Sequence, residues 1–327
     1  MGWLEMYEQA RAREDAAAGY YNHNVRIDAA AGPVVVRIPI HGADVMDLRL
    51  WREQDVLTAI APYVDHAPRL LHISAEPAFQ VHEFMPGDVL NDIAPRGVPV
   101  PSHVLGDVVM LFTQLIRVPR EELPSTPDDW PNDGDSTGFG QRLTALTQWV
   151  YESFSDEYGD LFDAFAIPTD PLAGINEIWP RLTPRPFTCV HADVHRKNMI
   201  LNGDDSAFLD WELALWGDPV YDLAVHFHKM EYRSDEQNAV LKLWLDEMPA
   251  AHTIGWEHDL DAYLAHERVK SAIVDTVRYA QIFAHDGPYP YPPPKMIEMM
   301  ATKLNAARKS WGNPQLIRPE TVRKLFA

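Results

Sequence analysis

The pattern of the chain changes at Pro86-Gly87, and that change narrows the fold more than any other feature. Before it, short runs of β-branched and aromatic residues surround one helical segment; after it, nearly every long apolar pattern has helical spacing. YYNHNVRI (20–27) and VVVRIPI (34–40) read as two antiparallel strands around the turn formers DAAAGP. Leu50, Leu57 and Ile60 recur at helical intervals with no proline before Pro62, which predicts a helix from Asp47 to Ile60. RLLHIS (69–74) and AFQVHEFM (78–85) resume strand composition around Glu76-Pro77. A short helix in MYEQARAREDAAAGY (6–20) precedes this strand, strand, helix, strand, strand order. Proline restricts one backbone position and glycine frees the next, so Pro86-Gly87 is a candidate hinge.

Beyond the hinge, Leu105, Val109, Phe112 and Ile116 fall at spacings of four, three and four, an amphipathic helix over 102–118. Residues 118–138 are rich in turn formers and acids and read as a loop that either closes over a substrate or joins two helices. Helical patterning returns at Gly140–Phe165, Asp222–Tyr232, Asp235–Glu247, Glu257–Ala284 and Lys295–Lys309, with GPYPYPPP (287–294) as a rigid connection. The class is α+β, with a small N-terminal lobe (1–86) and a larger, mainly helical lobe (87–327).

Charge and cysteine content remove several function classes. Lys and Arg total 28 against 48 Asp and Glu, a net charge of −20, which argues against a broad nucleic-acid surface and against an anionic membrane. Cys189 is the only cysteine, so there is no intrachain disulfide and no multi-cysteine metal site. No basic stretch followed by an apolar run opens the chain, and no apolar run approaches the roughly 18 residues of a membrane span, so the expectation is a soluble cytoplasmic protein. The acidity either serves solubility or steers a cationic substrate.

The chemistry concentrates in HADVHRKNMILNGDDSAFLDWE (191–212). Asp193 and Asn198 share a turn, and Asp210 follows a hairpin framed by Met199, Ile200, Leu201 and Ala207, Phe208, Leu209. Two carboxylates and an amide oxygen are hard ligands and orienting groups suited to a magnesium–phosphate reaction. His191 reads as a buried, hydrogen-bonding residue rather than a proton carrier, and His195 as either a phosphate contact or a turn residue. Asp218 and Asp222 read as structural, at a turn and a helix start. His226 and His228 would face different sides of a helix, and His23 and His41 lie in separate segments, so no zinc set emerges.

HADVHRKN resembles the His-x-Asp-four residues-Asn loop of the aminoglycoside phosphotransferase and choline kinase-like superfamily. FLDWE is similar to that superfamily's later metal-binding Asp segment, and WGDPVYDLAVHF (216–227) to the segment that follows. VVVRIP, WREQDVL and VHEFMPG resemble its basic strand, the acidic helix facing it and the crossing into the large lobe. The resemblance spans about residues 17 to 285 and is most specific over 191–227. It implies a protein kinase-like two-lobe fold and an enzyme using ATP and Mg2+, with GTP also admitted because YNHNV lacks a full glycine-rich signature and has only Gly19 before it. By matching motif, Asp193 orients the acceptor hydroxyl, Asn198 and Asp210 hold magnesium, Arg37 contacts the α- and β-phosphates, and Glu53 pairs with Arg37. Lysine often stands at the Arg37 position, and its ammonium reaches phosphate differently from a guanidinium fork.

The implied function is O-phosphorylation of a small polar antibiotic, aminoglycoside-like, with antibiotic resistance as its consequence. Asp128, Asp129, Asp133 and Asp135 are candidates for meeting its amines. A kinase for choline, an amino alcohol, a nucleoside or another metabolite is the alternative, with His226-Phe227 keeping a choline-like acceptor in view. A nucleotide-binding interaction protein with little transfer activity is the reading from a different class. Neither the acceptor nor the oligomeric state follows from the sequence.

Overall fold

The computed structural model describes residues 2–13, 17–18, 22–40, 48–284 and 291–326. Gly19, Tyr20, His41 and residues 287–290 of the proline-rich connection lie outside them. Two compact units divide the chain: Met1–Thr126 with Thr188–Asp222 and Lys229–Pro249, and Pro127–Phe187 with Leu223–His228 and Ala250–Ala327.

The first unit opens with a five-stranded antiparallel sheet of order β1-β2-β3-β5-β4, made of β1 (Ala17–Ala18), β2 (Asn22–Ala29), β3 (Gly32–Pro39), β4 (Leu70–Ala75) and β5 (Ala78–Glu83). Strand alternation buries Val25, Ile27, Val34, Val36, Phe79 and Val81 together with Met6, Tyr7 and Ala10 of the helix Trp3–Arg11. That helix was expected over 6–20. It starts earlier and stops at Arg11 because its apolar stripe is Met6, Tyr7 and Ala10, and Ala17–Ala18 is already strand.

On the other face, register sets Asn24, Arg37 and Gln80 in one row across β2, β3 and β5, and Arg26, Val35 and His82 in the next. Directly opposed residues share a face, so this side of the sheet is polar. The helix expected from Asp47 spans only Glu53–Ile60. Trp51 is buried and its indole donates to the Ser125 carbonyl at 3.0 Å, which holds the chain in a non-helical path up to Arg52.

The remaining strands are β6 (Asp88–Val89), β7 (Thr188–Val190), β8 (Met199–Asn202), β9 (Asp205–Phe208) and β10 (Leu215–Gly217). They form sheets of order β6-β8-β9 and β10-β7. The hairpin expected between Met199 and Leu209 is β8–β9, with Met199 opposite Phe208 and Ile200 opposite Ala207. The helix Ser102–Leu115 packs on Ser234–Glu247 and on β7 and β9.

Gly87 joins the sheet to β6 with φ +127°, and a Cβ there would drive into the Leu201 carbonyl of β8. Gly87→Ala is therefore expected to cost more than about 2 kcal/mol. Urea unfolding checks this, and an unchanged midpoint would remove the close approach as a constraint.

In the second unit, the long helices Ser136–Ala164 and Trp256–Ala284 pack together around Phe139, Phe162, Trp179 and Tyr263, and the Trp179 indole donates to Thr144 Oγ1 at 2.7 Å. The first of them begins four residues before the expected Gly140 because Asp135 caps it, its Oδ1 accepting the Gly138 N–H at 2.8 Å. The helix Pro293–Ala307 uses two prolines in its first turn. Among the described residues no helix is long and apolar enough to cross a membrane. The chain is α+β, with a β-sheet-rich N-terminal region and a larger helical C-terminal region, the arrangement of a protein kinase-like fold.

Candidate active site

All five sequence-derived site residues fall in the first unit: Arg37, Glu53, Asp193, Asn198 and Asp210. The segment 191–198 carries Asp193 and Asn198, and its backbone is fastened at both ends. Asp222 accepts the N–H of His191 at 3.0 Å and of Ala192 at 2.9 Å, holding Ala192 at φ 57° just before Asp193. A left-handed alanine costs on the order of 1–2 kcal/mol, which those two bonds offset. At the other end, the buried Arg196 guanidinium donates to the carbonyls of Ala94 at 2.6 Å, Val98 at 3.0 Å and Met230 at 3.1 Å.

His191 departs from expectation. It is buried, but neither ring nitrogen has a hydrogen-bond partner among the described residues; its ring lies 4.2 Å from that of Trp211. Burial pushes its pKa down to about 4, so it is a neutral packing residue.

Asn198 Nδ2 donates to the Asp193 carbonyl and to Asp193 Oδ2, both at 3.1 Å, leaving the amide oxygen as the atom for a cation. Asp193 Oδ1 accepts from Lys229 Nζ, and His195 Nε2 lies 3.4 Å from the same oxygen. The Lys197 N–H donates to His195 Nδ1 at 3.1 Å, which puts the proton of the neutral ring on Nε2, facing Asp193. Burial alone would raise the Asp193 pKa, but Lys229 and His195 outweigh it and hold the carboxyl below its usual range. Burial pushes His195 down to about 4. Asp193 is thus an ionised, weakly basic carboxylate that can orient a hydroxyl.

Arg37 reaches from β3 to Glu53, with Nη1 at 2.7 Å and 2.6 Å from the two oxygens, and its Nη2 lies 3.9 Å from Asp210 Oδ1. Glu53 Oε1 also accepts the Trp211 N–H at 3.1 Å, fixing the backbone beside Asp210. Asp210 sits at φ 66°, ψ 68°, left-handed for a non-glycine residue, and its Oδ1 is buried with no hydrogen-bond partner among the described residues. Burial, then Glu53, pushes its pKa up to about 6; burial, then Asp210 and Glu53, pushes Glu212 up to about 9. Burial lowers the Arg37 pKa, but Glu53, Asp210 and Glu212 more than offset that and keep it above its ordinary value. Three acidic side chains act on one guanidinium, two of them at 2.6 Å and 3.9 Å from it.

That excess of negative charge, with the orphaned Asp210 oxygen, fits a hard divalent cation. Among the described residues, no group of three His, Cys, Asp or Glu forms a ready metal cluster. Arg37→Lys retains a charge but loses the fork between Glu53 and Asp210, so nucleotide affinity is expected to fall about tenfold, and further in Arg37→Ala. Equilibrium titration with nucleotide checks this, and equal affinity in all three proteins would detach Arg37 from nucleotide binding.

Behind this pair, on the same sheet face, Gln80 Nε2 donates to Gln54 Oε1 at 3.0 Å, and Gln80 Oε1 lies 2.8 Å from His82 Nε2. His82 is buried, and burial lowers its pKa from 6.5 to about 4. Its folded-state pKa lies below the unfolded value, so the unfolded chain takes the proton first. The His82 contribution is full above pH 6.5 and is lost as pH falls toward 4. Relative to His82→Gln, which preserves a donor for Gln80, the wild type should lose on the order of 3 kcal/mol across that window. Urea unfolding of both proteins at several pH values reads this directly, and parallel pH profiles would contradict it.

Two groups at the site had no signal of their own in the sequence: Lys229 comes from a helix read as structural, and Glu212 was read only as part of FLDWE. Asp222 is structural as expected, but as the anchor of the His191 and Ala192 N–H groups.

The family model described as the phosphotransferase enzyme family (APH) matches residues 13–254, and the chain belongs to that family. Membership supports kinase-type phosphotransfer to a hydroxyl of a small molecule. A choline/ethanolamine kinase family protein from Mesorhizobium loti is similar at 13% identity over 99% of this chain and 98% of its own, with TM-score 0.60. A macrolide 2′-phosphotransferase from Brachybacterium faecium is similar at 16% identity over 90% and 91%, TM-score 0.56. The aminoglycoside phosphotransferase APH(4)-Ia is similar at 12% identity over 94% and 97%, TM-score 0.60. These likenesses show the fold. No curated protein is similar enough in sequence to match.

Proposed function

We propose that this protein transfers the terminal phosphoryl group of ATP, or of GTP, to a hydroxyl of a small polar molecule in the cytoplasm. The observation that carries the reading is Asp210, whose buried Oδ1 has no hydrogen-bond partner among the described residues and lies in the same unit as the Arg37–Glu53 pair and the Asp193–Asn198 turn. Asn198 and Asp210 would hold Mg2+, which when bound neutralises the oxygens of the transferring phosphoryl group. Arg37 binds phosphate oxygens while Glu53 fixes its fork. Asp193 orients the acceptor hydroxyl; as the acceptor oxygen bonds to phosphorus, the bond to the diphosphate leaving group breaks, and the hydroxyl proton passes to Asp193 and on to water. A weak base suffices for a loose transition state. In this reading residues 1–86 bind nucleotide and 87–327 carry catalysis and the acceptor.

The acceptor classes considered from the sequence are antibiotics such as aminoglycosides, and choline, amino alcohols and nucleosides. Of the four acids considered for a cationic antibiotic, three are committed within their own segment. Asp129 pairs with Arg142 at 2.8 Å, Asp133 accepts the Phe187 N–H at 2.6 Å, and Asp135 caps a helix. Transfer of label from the terminal phosphate of ATP across a chemically varied alcohol panel tests the function. Nucleotide binding without acceptor-dependent transfer would favour a binding protein instead.

A further inference from the structure

The chain carries a net charge of −20, yet in the first unit Lys229, Lys197 and Arg96 stand around Asp193 beside the acids Asp222 and Glu231. Asp193, the carboxylate assigned to the acceptor hydroxyl, already has its charge matched by Lys229. An ammonium has three N–H donors. One lies on Asp193, which is the hydrogen-bond partner of Lys229 among the described residues, and the lysine side chain remains 26% exposed. Two donors are therefore open beside the oxygen that receives the hydroxyl.

Further cations act nearby. Lys197 is exposed, and both it and Arg96 act electrostatically on His195, whose Nε2 faces Asp193 at 3.4 Å. Glu231, two residues beyond Lys229, is tied to Arg96 at 2.8 Å. Within this unit, a protonated amine approaching Asp193 meets Lys229 instead of an open carboxylate. A phosphate or carboxylate meets unused N–H donors, and charge-assisted bonds of this kind are roughly twice as strong as neutral ones.

We propose that the acceptor carries an anionic group, a phosphate or a carboxylate, close to the hydroxyl that is phosphorylated, and that Lys229, supported by Lys197, recognises it. This rests on the assignment of phosphoryl transfer to Asp193. The competing source of an anionic oxygen at Lys229 is the transferring phosphoryl group, which every acceptor shares.

The test uses the full chain with magnesium and labelled ATP on matched alcohols: glycerol against glycerol 3-phosphate and glycerate, and glucose against glucose 6-phosphate and glucosamine, with choline and ethanolamine as further cations. Calorimetry on the same compounds, with a non-hydrolysable ATP analogue, reads binding apart from turnover. The wild type should prefer the anionic member over its neutral parent by at least about tenfold in kcat/KM, or in affinity where no turnover occurs. Lys229→Met should bring that ratio to within about twofold of one, and Lys229→Arg should keep it.

A wild-type ratio at or below one overturns the proposal, as does failure of every anionic alcohol to bind. A ratio that Lys229→Met leaves intact, with all acceptors slowed alike, also overturns it and assigns Lys229 to the transferring group. Anion-selective, Lys229-dependent binding without any transfer would uphold the recognition and defeat the phosphotransfer reading.

Discussion

Asp193→Asn is expected to lower turnover by about 10²- to 10⁴-fold while nucleotide affinity stays within about threefold of the wild type. The substitution keeps the volume of the side chain and leaves the backbone anchors at Asp222 and Arg196 untouched. It removes the charge that Lys229 and His195 now face, and with it the acceptor proposed for the hydroxyl proton. Single-turnover transfer beside nucleotide titration separates the two quantities. Unchanged turnover would defeat the central assignment, and loss of nucleotide affinity alone would make Asp193 a structural part of the nucleotide site.

Asp210→Ala should reduce turnover by about 100-fold or more and weaken the response to magnesium. Asp210 is repelled by Glu53 and attracted by Arg37, and the substitution removes both interactions while alanine keeps the left-handed backbone. Stability should therefore change little while activity falls, as expected for a side chain kept for function. Thermal melting with and without magnesium, run beside turnover, checks both halves. Near-normal transfer at matched magnesium and nucleotide would remove the metal-holding role.

What could be seen in the sequence was local. The β2–β3 and β8–β9 pairings announce themselves through alternation and turn formers within twenty residues, and Asp193 and Asn198 through their shared turn. The partners that complete the site come from far along the chain and carry no local pattern. Lys229 meets Asp193 across 36 positions, and Trp211 meets Glu53 across 158. The helix beginning at Glu53 illustrates the same limit, since its spacing continues upstream but the Trp51 indole is claimed by a carbonyl 74 residues away. His191 failed in the opposite direction: a polar type in a polar cluster suggested a hydrogen bond, and its ring is used as an apolar surface against Trp211.

The fastening of the segment 191–198 bears on how such a chain diversifies. Asp222 grips two amide N–H groups, and Arg196 grips carbonyl oxygens at positions 94, 98 and 230. Main-chain atoms are the same whatever side chain they carry, proline's missing N–H excepted, so other mutations at those gripped positions leave the clamp its partner. Two side chains, Asp222 and Arg196, thus bear the cost of constancy for the whole segment. The residues around them are at liberty to drift, and the neighbours of Asp193 can be exchanged without rebuilding the frame that holds it.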